Sequence, residues 1–309
     1  MLLGIEIGGT KLQVVSGHAG GGITRRWRGN VRKELGGDGI CQQLRAAVGE
    51  FLHDGVAISA VGVGFGGPID TRTGNVCKSH QIDGWENFPL RDWLKELTGA
   101  PVSVDNDSNT AALGEATRGA GAGANPVFYF NLGSGVGGGL VVDGKIYHGV
   151  PPGEVEFGHV RLDRSGATVE SRCSGWATDA RIRKLAADEP GGILARYIGG
   201  ASAGGEARHL TRAIDAGDAA AKAILADLAA DLAFALSHAV HLFHPQVMVL
   251  GGGLSAVGEP LRAAIAQSLS GFVMKAFLPA PEIRLAGLGE DNVPIGALEL
   301  AAALTKTAT

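Results

Sequence analysis

Leu2-Leu-Gly-Ile-Glu-Ile-Gly-Gly-Thr-Lys-Leu-Gln-Val-Val-Ser16 decides the architecture of this chain. It reads as a strand, Leu2 to Ile7, a Gly8-Gly9 turn and a second strand, Leu12 to Ser16; a third follows from Ile23 to Arg28. Apolar and β-branched runs broken only by turn residues predict an antiparallel meander. The pattern returns later as Val127 to Leu132, a Gly133-Ser134-Gly135 turn, Gly137 to Val142, and Asp143-Gly144 before another strand, so the chain resembles two copies of one unit. Around these lie an amphipathic helix, Gly39 to His53, a buried strand, Ile58 to Phe65, a helix, Leu90 to Thr98, and a short strand, Val102 to Val104. That strand feeds Asp105-Asn106-Asp107 and an alanine-rich helix to Gly119; Gly119 to Asn125 reads as a hinge. A long helix from Asp218 to Phe243, a strand from Val247 to Leu250, a triple glycine and a last helix, Ile295 to Leu304, complete an α/β pattern whose final helix is expected to pack on the first domain.

Composition narrows the function. The 309 residues, 45% hydrophobic, suffice for two domains with cores of their own. Lys and Arg number 27 against 31 Asp and Glu, a formal charge of -4 that provides no field for drawing in nucleic acid or an anionic membrane. Three scattered cysteines, Cys41, Cys77 and Cys173, fit a reducing, cytoplasmic setting better than a disulfide framework. The N-terminus lacks a basic leader and reads as a strand, and no apolar run reaches the roughly 20 residues of a bilayer span. Glycine is the outlier, 50 residues gathered in short loops after apolar runs, which points to close backbone approach to a ligand.

The Gly8-Gly9 turn, followed by Thr10 and Lys11, exposes backbone N–H groups, a hydroxyl and a cation to phosphate oxygens, although an ordinary glycine hairpin has the same outline. It is not a Walker A loop, whose spacing is absent. The turn at Gly133, Ser134 and Gly135 offers a second cradle, and a pair of such loops across a cleft would clamp a nucleotide. Gly62 to Gly67 and Gly133 to Gly138 also fit Gly-x-Gly-x-x-Gly, but Pro68 follows one and a strand the other, where a dinucleotide fingerprint needs a helix. Asp107 stands where a strand ends and a helix begins, a place that favours its ionised form. It suits the base that accepts a hydroxyl proton in phosphoryl transfer, with Asn106 as the helix cap; all three polar residues serving only as caps is the plainer reading. Glu154, Glu156 and His159 form the densest polar cluster and match a sugar's mixed donors and acceptors; no zinc-ligand spacing accompanies them. His238, His241 and His244 sit on the long helix and read as core or interface residues.

With these residues in place, the chain resembles the ROK family (repressors, open reading frames and kinases) over essentially its whole length. Ile7 to Lys11 resembles the family's first phosphate loop, Gly66-Gly67-Pro68-Ile69-Asp70 its Pro-Gly-Pro-Val-Asp loop, and Asn106 to Glu115 its catalytic segment. Leu132 to Gly139 resembles the second phosphate loop, Gly153 to His159 the sugar loop, and Leu250 to Gly253 the adenosine segment, with Gly252 and Gly253 on the nucleotide. The resemblance implies an actin-like (ribonuclease H-like) ATPase fold of two lobes with an interdomain cleft. It implies a lobe of residues 1–118 joined by the helix 293–309, a second lobe of 119–292, and ATP with Mg2+ as donor. It places Gly67, Asn106, Asp107, Glu156 and His159 on the hexose.

Departures from the family pattern are specific. Glu6 replaces the usual Asp beside the expected Mg2+. Val169, Ser171 and Trp176 replace cysteines of the family's zinc motif, so no structural zinc is expected, and Val169 and Trp176 are expected to pack in its place. Thr178 falls where a sugar-binding Glu is usual, with Asp179 beside it, and Gln81, near Ser79 and His80, stands for an Asn. The expected activity is ATP-dependent phosphorylation of a hexose hydroxyl, glucose O6 first, with N-acetylmannosamine, N-acetylglucosamine or fructose as alternatives. A sugar-sensing regulator without catalysis is the reading from another class; DNA-binding relatives carry a helix-turn-helix before the first phosphate loop, which here begins near Met1. The resemblance suggests a homodimer.

Overall fold

A computed structural model of the chain describes residues 1–53, 55–78, 84–151, 153, 155–200 and 203–306. In chain order the strands are β1 (Leu2–Ile7), β2 (Lys11–Gly17), β3 (Ile23–Asn30), β4 (Ala60–Phe65), β5 (Ile69–Asp70), β6 (Asn75–Lys78), β7 (Glu86–Phe88), β8 (Val102–Asn106), β9 (Val127–Leu132), β10 (Val136–Val142), β11 (Lys145–Ile146), β12 (Val247–Gly251) and β13 (Glu282–Leu285). The α-helices are α1 (Gly36–Leu52), α2 (Leu90–Thr98), α3 (Asp107–Arg118), α4 (Val169–Cys173), α5 (Gly175–Asp188), α6 (Ile193–Ile198), α7 (Leu210–Asp215), α8 (Ala219–Phe243), α9 (Glu259–Leu269) and α10 (Asn292–Lys306). Two mixed five-stranded sheets, ordered β3-β2-β1-β4-β8 and β11-β10-β9-β12-β13, are accompanied by a small three-stranded sheet, β5-β6-β7. The chain forms two compact units, one of residues 1–123, 139–155 and 287–309, the other of 124–138 and 156–286.

In the first unit, β1 pairs antiparallel with β2 and parallel with β4, and β4 pairs parallel with β8. Alternation along β1 sends Leu3, Ile5 and Ile7 to one face, where they join Ile40, Leu44 and Phe51 of α1. The opposite face carries Leu2 with Ile295 and Leu298 of α10, as expected for a last helix that returns to the first domain. That face is rich in glycine for a steric reason: a Cβ on Gly62 would lie 1.9 Å from the carbonyl oxygen of Ala297, and one on Gly296 would lie 1.8 Å from that of Thr110. Helix α10 is therefore wedged between β4 and α3 at backbone contact distance.

Buried Glu115, near the end of α3, uses its carboxylate to accept hydrogen bonds from the backbone N–H groups of Ala120 (2.9 Å), Gly287 (3.0 Å) and Leu288 (2.9 Å). It thus holds the chain just before it leaves this unit and again where it returns.

In the second unit β9, β12 and β13 run parallel. Helix α8 is long and apolar enough to cross a membrane by length and composition, with a mean hydropathy of 1.6, contrary to the expectation from sequence. The alanine-rich run continues from Asp218, whose side chain caps Ala220 and Ala221, and 61% of its most apolar window is buried inside the protein.

Candidate functional site

The carboxyl ends of three neighbouring parallel strands meet in register in the first unit, with Ile7 opposite Phe65 and Phe65 opposite Asn106. Ligands in α/β sheets bind at such ends, because the loops there leave backbone donors unpaired. After β1 the chain turns tightly, Gly8 N–H donating to the Lys11 carbonyl at 2.9 Å. Gly9 is half-buried and Thr10 exposed at the tip of this turn. After β4 comes Gly66, where a Cβ would sit 3.3 Å from Asp107 Oδ2 and 3.4 Å from the Gly8 Cα. The two turns and Asp107 therefore adjoin one another, and Gly66 leaves open the space beside the carboxylate.

Asn106 caps α3, its Oδ1 accepting from the N–H groups of Ser108 (2.9 Å) and Asn109 (3.3 Å), while its Nδ2 donates to the Gly67 carbonyl at 3.2 Å. The cap leaves Asp107 as the first helical residue. Asp105 behind it is structural: buried, it accepts from Asn106 N–H at 2.8 Å and Asn109 Nδ2 at 3.0 Å and lies 2.8 Å from His148 Nε2. Neither Asp105 nor His148 was singled out as a pair by sequence reasoning, because they are distant in the chain.

Glu6 lies beside the Gly8-Gly9 turn, with Oε1 3.2 Å from Lys11 Nζ and Oε2 accepting from Gln13 Nε2 at 2.6 Å. Burial pushes its carboxyl above the usual range, against the opposing pull of Lys11 and Gln13. Gln13 is in turn held by Arg28 Nε at 2.7 Å, so a polar row crosses the sheet from Glu6 to β3. A carboxylate oxygen accepts about two hydrogen bonds, so Glu6 keeps lone pairs for a further donor beside the turn.

The second unit holds the other glycine turn. Gly133, Ser134 and Gly135 follow β9, and the Glu170 carboxylate accepts from Val136 N–H at 2.9 Å, closing the turn from beneath. The Gly133 carbonyl accepts from Gly175 N–H at 2.8 Å, fastening the start of α5 to the same turn. Gly252, at φ +83°, packs its Cα against the end of β9, where a Cβ would meet Asn131 Oδ1 at 2.5 Å. Between these elements opens a cavity of about 470 Å³ lined by Gly133, Ser134, Trp176, Arg208, Gly253 and Leu254 among others. Its far wall is held by Asp179, whose carboxylate accepts from Gly205 N–H and Ala207 N–H, each at 2.7 Å.

Glu156 and His159 are exposed at either end of a short turn anchored by buried Phe157, which packs edge-on against Phe128 and Phe130. Glu154 and the stretch with Ser79, His80 and Gln81 lie outside the described residues. Thr178 is buried at 2% exposure, with its hydroxyl lacking a hydrogen-bond partner among the described residues. In the segment aligned with zinc cysteines, Val169 packs in the core as expected, but Trp176 does not: it is 70% exposed at the cavity rim. The reason is local. Trp176 is the second residue of α5, and the Gly175 bond to Gly133 aims that first turn toward the cavity. Cys173 is fully buried, and that burial pushes its thiol up to about 12. Among the described residues no three His, Cys, Asp or Glu side chains gather as a metal site would require.

Glu170 is absent from the sequence reading, and Asp179, expected there only as a neighbour of Thr178, instead holds Gly205 and Ala207; a carboxylate that accepts backbone N–H groups from distant segments leaves no local pattern.

Comparison with known proteins is consistent over the whole chain. The model of the ROK family matches residues 2–304. The chain is 32% identical to a glucokinase of Halalkalibacterium halodurans, covering 95% of this chain and 92% of the relative, and 29% identical to a glucokinase of Thermotoga maritima, covering 97% and 96%. Among solved structures it is similar to a ROK family glucokinase from Streptomyces griseus in complex with glucose and AMPPNP, at 30% identity and a TM-score of 0.83 over 98% of this chain and 99% of that one.

Proposed function

The chain belongs to the ROK family, and from that premise we propose that it is a glucokinase that transfers the γ-phosphate of ATP to the O6 hydroxyl of glucose. The observation that carries this reading is the convergence of the Gly8-Gly9 turn, Gly66 and Asp107 at the carboxyl ends of adjoining strands.

Asp107 is the base. Its carboxylate accepts the hydroxyl proton as the oxygen bonds to phosphorus and the bond from the γ-phosphorus to the leaving ADP oxygen breaks; the reaction yields ADP and the sugar phosphate. Because the transition state is loose, the proton moves late and the carboxylate chiefly orients the attacking oxygen. Asn106 fixes the first turn of α3 and, with Gly67, borders the space we assign to the sugar. Glu156 and His159 supply further acceptors and donors to its hydroxyls. The N–H groups of Gly8 and Gly9, the Thr10 hydroxyl and Lys11 bind phosphate oxygens on the first unit, as do Gly133, Ser134 and Gly135 on the second. Mg2+ bound with ATP would offset the charge on its phosphates, and Glu6 is the carboxylate that would hold its waters. The cavity above Gly252 and Gly253 takes the adenosine end.

Three cysteines scattered along the chain, Cys41, Cys77 and Cys173, and the need for ATP support a cytoplasmic setting. Exposed Leu242, Phe272, Met274 and Leu278 support pairing with a second copy of the chain. A hexose panel with ATP in a coupled ADP-release assay tests the reading. Glucose is expected to be the best acceptor, and Asp107→Asn to lower kcat about 10³-fold at unchanged thermal stability. Comparable turnover by the variant would sink the assignment of the base, and silence with every hexose would sink the kinase.

A further inference from the structure

We propose that Trp176 forms one wall of the nucleotide site and stacks its indole on the base of the donor, so that this chain binds a purine with a side chain standing where its relatives' pattern has a zinc cysteine. The inference rests on the kinase reading for the identity of the ligand and deepens it at one residue.

Three observations converge on Trp176. It is 70% exposed, an unusual setting for the largest apolar side chain unless a partner covers it. It lines the cavity together with Gly133 and Ser134, the glycine turn suited to phosphate, and with Gly253 and Leu254 opposite. Its position is fixed from both sides: the Gly175 N–H bond to the Gly133 carbonyl fastens the residue before it, and Asp179, one turn later on α5, holds Gly205 and Ala207 across the opening. A cavity of about 470 Å³ has room for a nucleoside. A planar aromatic and a phosphate cradle lining one cavity have the layout of a nucleotide, base on the one and phosphates on the other. Arg208 on the same rim adds a cation with a planar face. Stacking on a π-face tolerates any base, so the site should separate a nucleotide from a donor without a base more strongly than it separates purines from one another.

Fluorescence tests this without relying on turnover. Trp27, Trp85 and Trp93, the other tryptophans, all belong to the first unit, and each is buried or partly buried. ADP is expected to quench the emission of the wild-type protein and leave that of Trp176→Phe much less changed. Trp176→Ala should weaken ADP binding on the order of 10-fold by titration calorimetry and raise KM for ATP alike, with KM for glucose moving less than twofold; Trp176→Phe should restore most of the affinity. The affinity for tripolyphosphate, read as its inhibition constant against ATP, should not change, since it has no base to stack. An ADP affinity in Trp176→Ala within twofold of wild type, or an equal loss for tripolyphosphate, would overturn the proposal. The two readings fail separately: ADP quenching without sugar phosphorylation leaves Trp176 on the nucleotide and removes the kinase, whereas phosphorylation with an unaltered Trp176→Ala does the reverse.

Discussion

The wedge of α10 between β4 and α3 makes Gly296→Ala the most informative single perturbation of this fold. A Cβ there would stand 1.8 Å from the Thr110 carbonyl oxygen, where ordinary contact begins at 3.4 Å, so the two helices must part by 3.4 − 1.8 = 1.6 Å or the backbone must rotate. The oxygen is backbone in the middle of α3 and cannot swing aside as a side-chain tip would. Overpacking of this kind costs about 3 kcal/mol or somewhat more, equivalent to a fall in Tm of roughly 5–10 °C for a chain of this size. Because α3 starts at Asp107, the same displacement reaches the proposed base, and a shift of about 1 Å at a catalytic group can cost on the order of 10² in rate. Calorimetry and steady-state kinetics on one preparation measure both effects. Gly49→Ala is the control: it lies within α1 with nothing within 4 Å of the added Cβ, and should stabilise by about 0.5–1 kcal/mol. A Gly296→Ala protein that melts within about 1 °C of wild type with an unchanged kcat would refute the claim that close backbone contact positions Asp107, the proposed base.

Two further outcomes follow from the cysteines. Burial pushes the thiol of Cys41 up to about 11 and that of Cys173 up to about 12, so at pH 8 a disulfide reagent should modify at most one thiol per native chain, and all three after denaturation. With folded pKa values above the ordinary thiol value of about 8.5, the unfolded chain loses these protons first; stability from this source is complete below that pH and declines as pH rises toward 12, and Cys173→Ala should flatten the decline in urea melts at pH 8 and 10. Elemental analysis of purified protein is expected to find well under one zinc per chain; a tightly held equivalent would contradict the packing of Val169 and the protonated Cys173.

Much of the fold could be read from sequence where local chemistry and tertiary packing agree. Leu2–Ile7, Leu90–Thr98 and Val127–Leu132 fall at their expected bounds because glycine turns or the left-handed cap at Gly99 end them. Agreement is poorer where a distant residue decides. Helix α1 starts at Gly36, ahead of the expected Gly39, and Gly37 packs so closely on Trp85 that a Cβ would lie 1.9 Å from the indole. Helix α10 starts at Asn292, since Pro294 is tolerated in a first turn. The sheet β5-β6-β7 went unread because strands of two to four residues carry too few alternations to register as a period. At the site, glycine turns and the cap at Asn106 announce themselves locally. The orientation of Trp176 and the burial of Thr178 do not, for both depend on how α5 leans on a turn some forty residues earlier.

Glu115 carries a consequence for how such a chain could have grown. The point before the chain first leaves the unit and the point of its last return, with residues 139–155 re-entering the unit in between, are gathered by one side chain and so latched side by side. Since the entropy of closing a loop rises only logarithmically with its length, segments of the second unit can be lengthened, trimmed or exchanged while the strands that present Asp107 stay as they are.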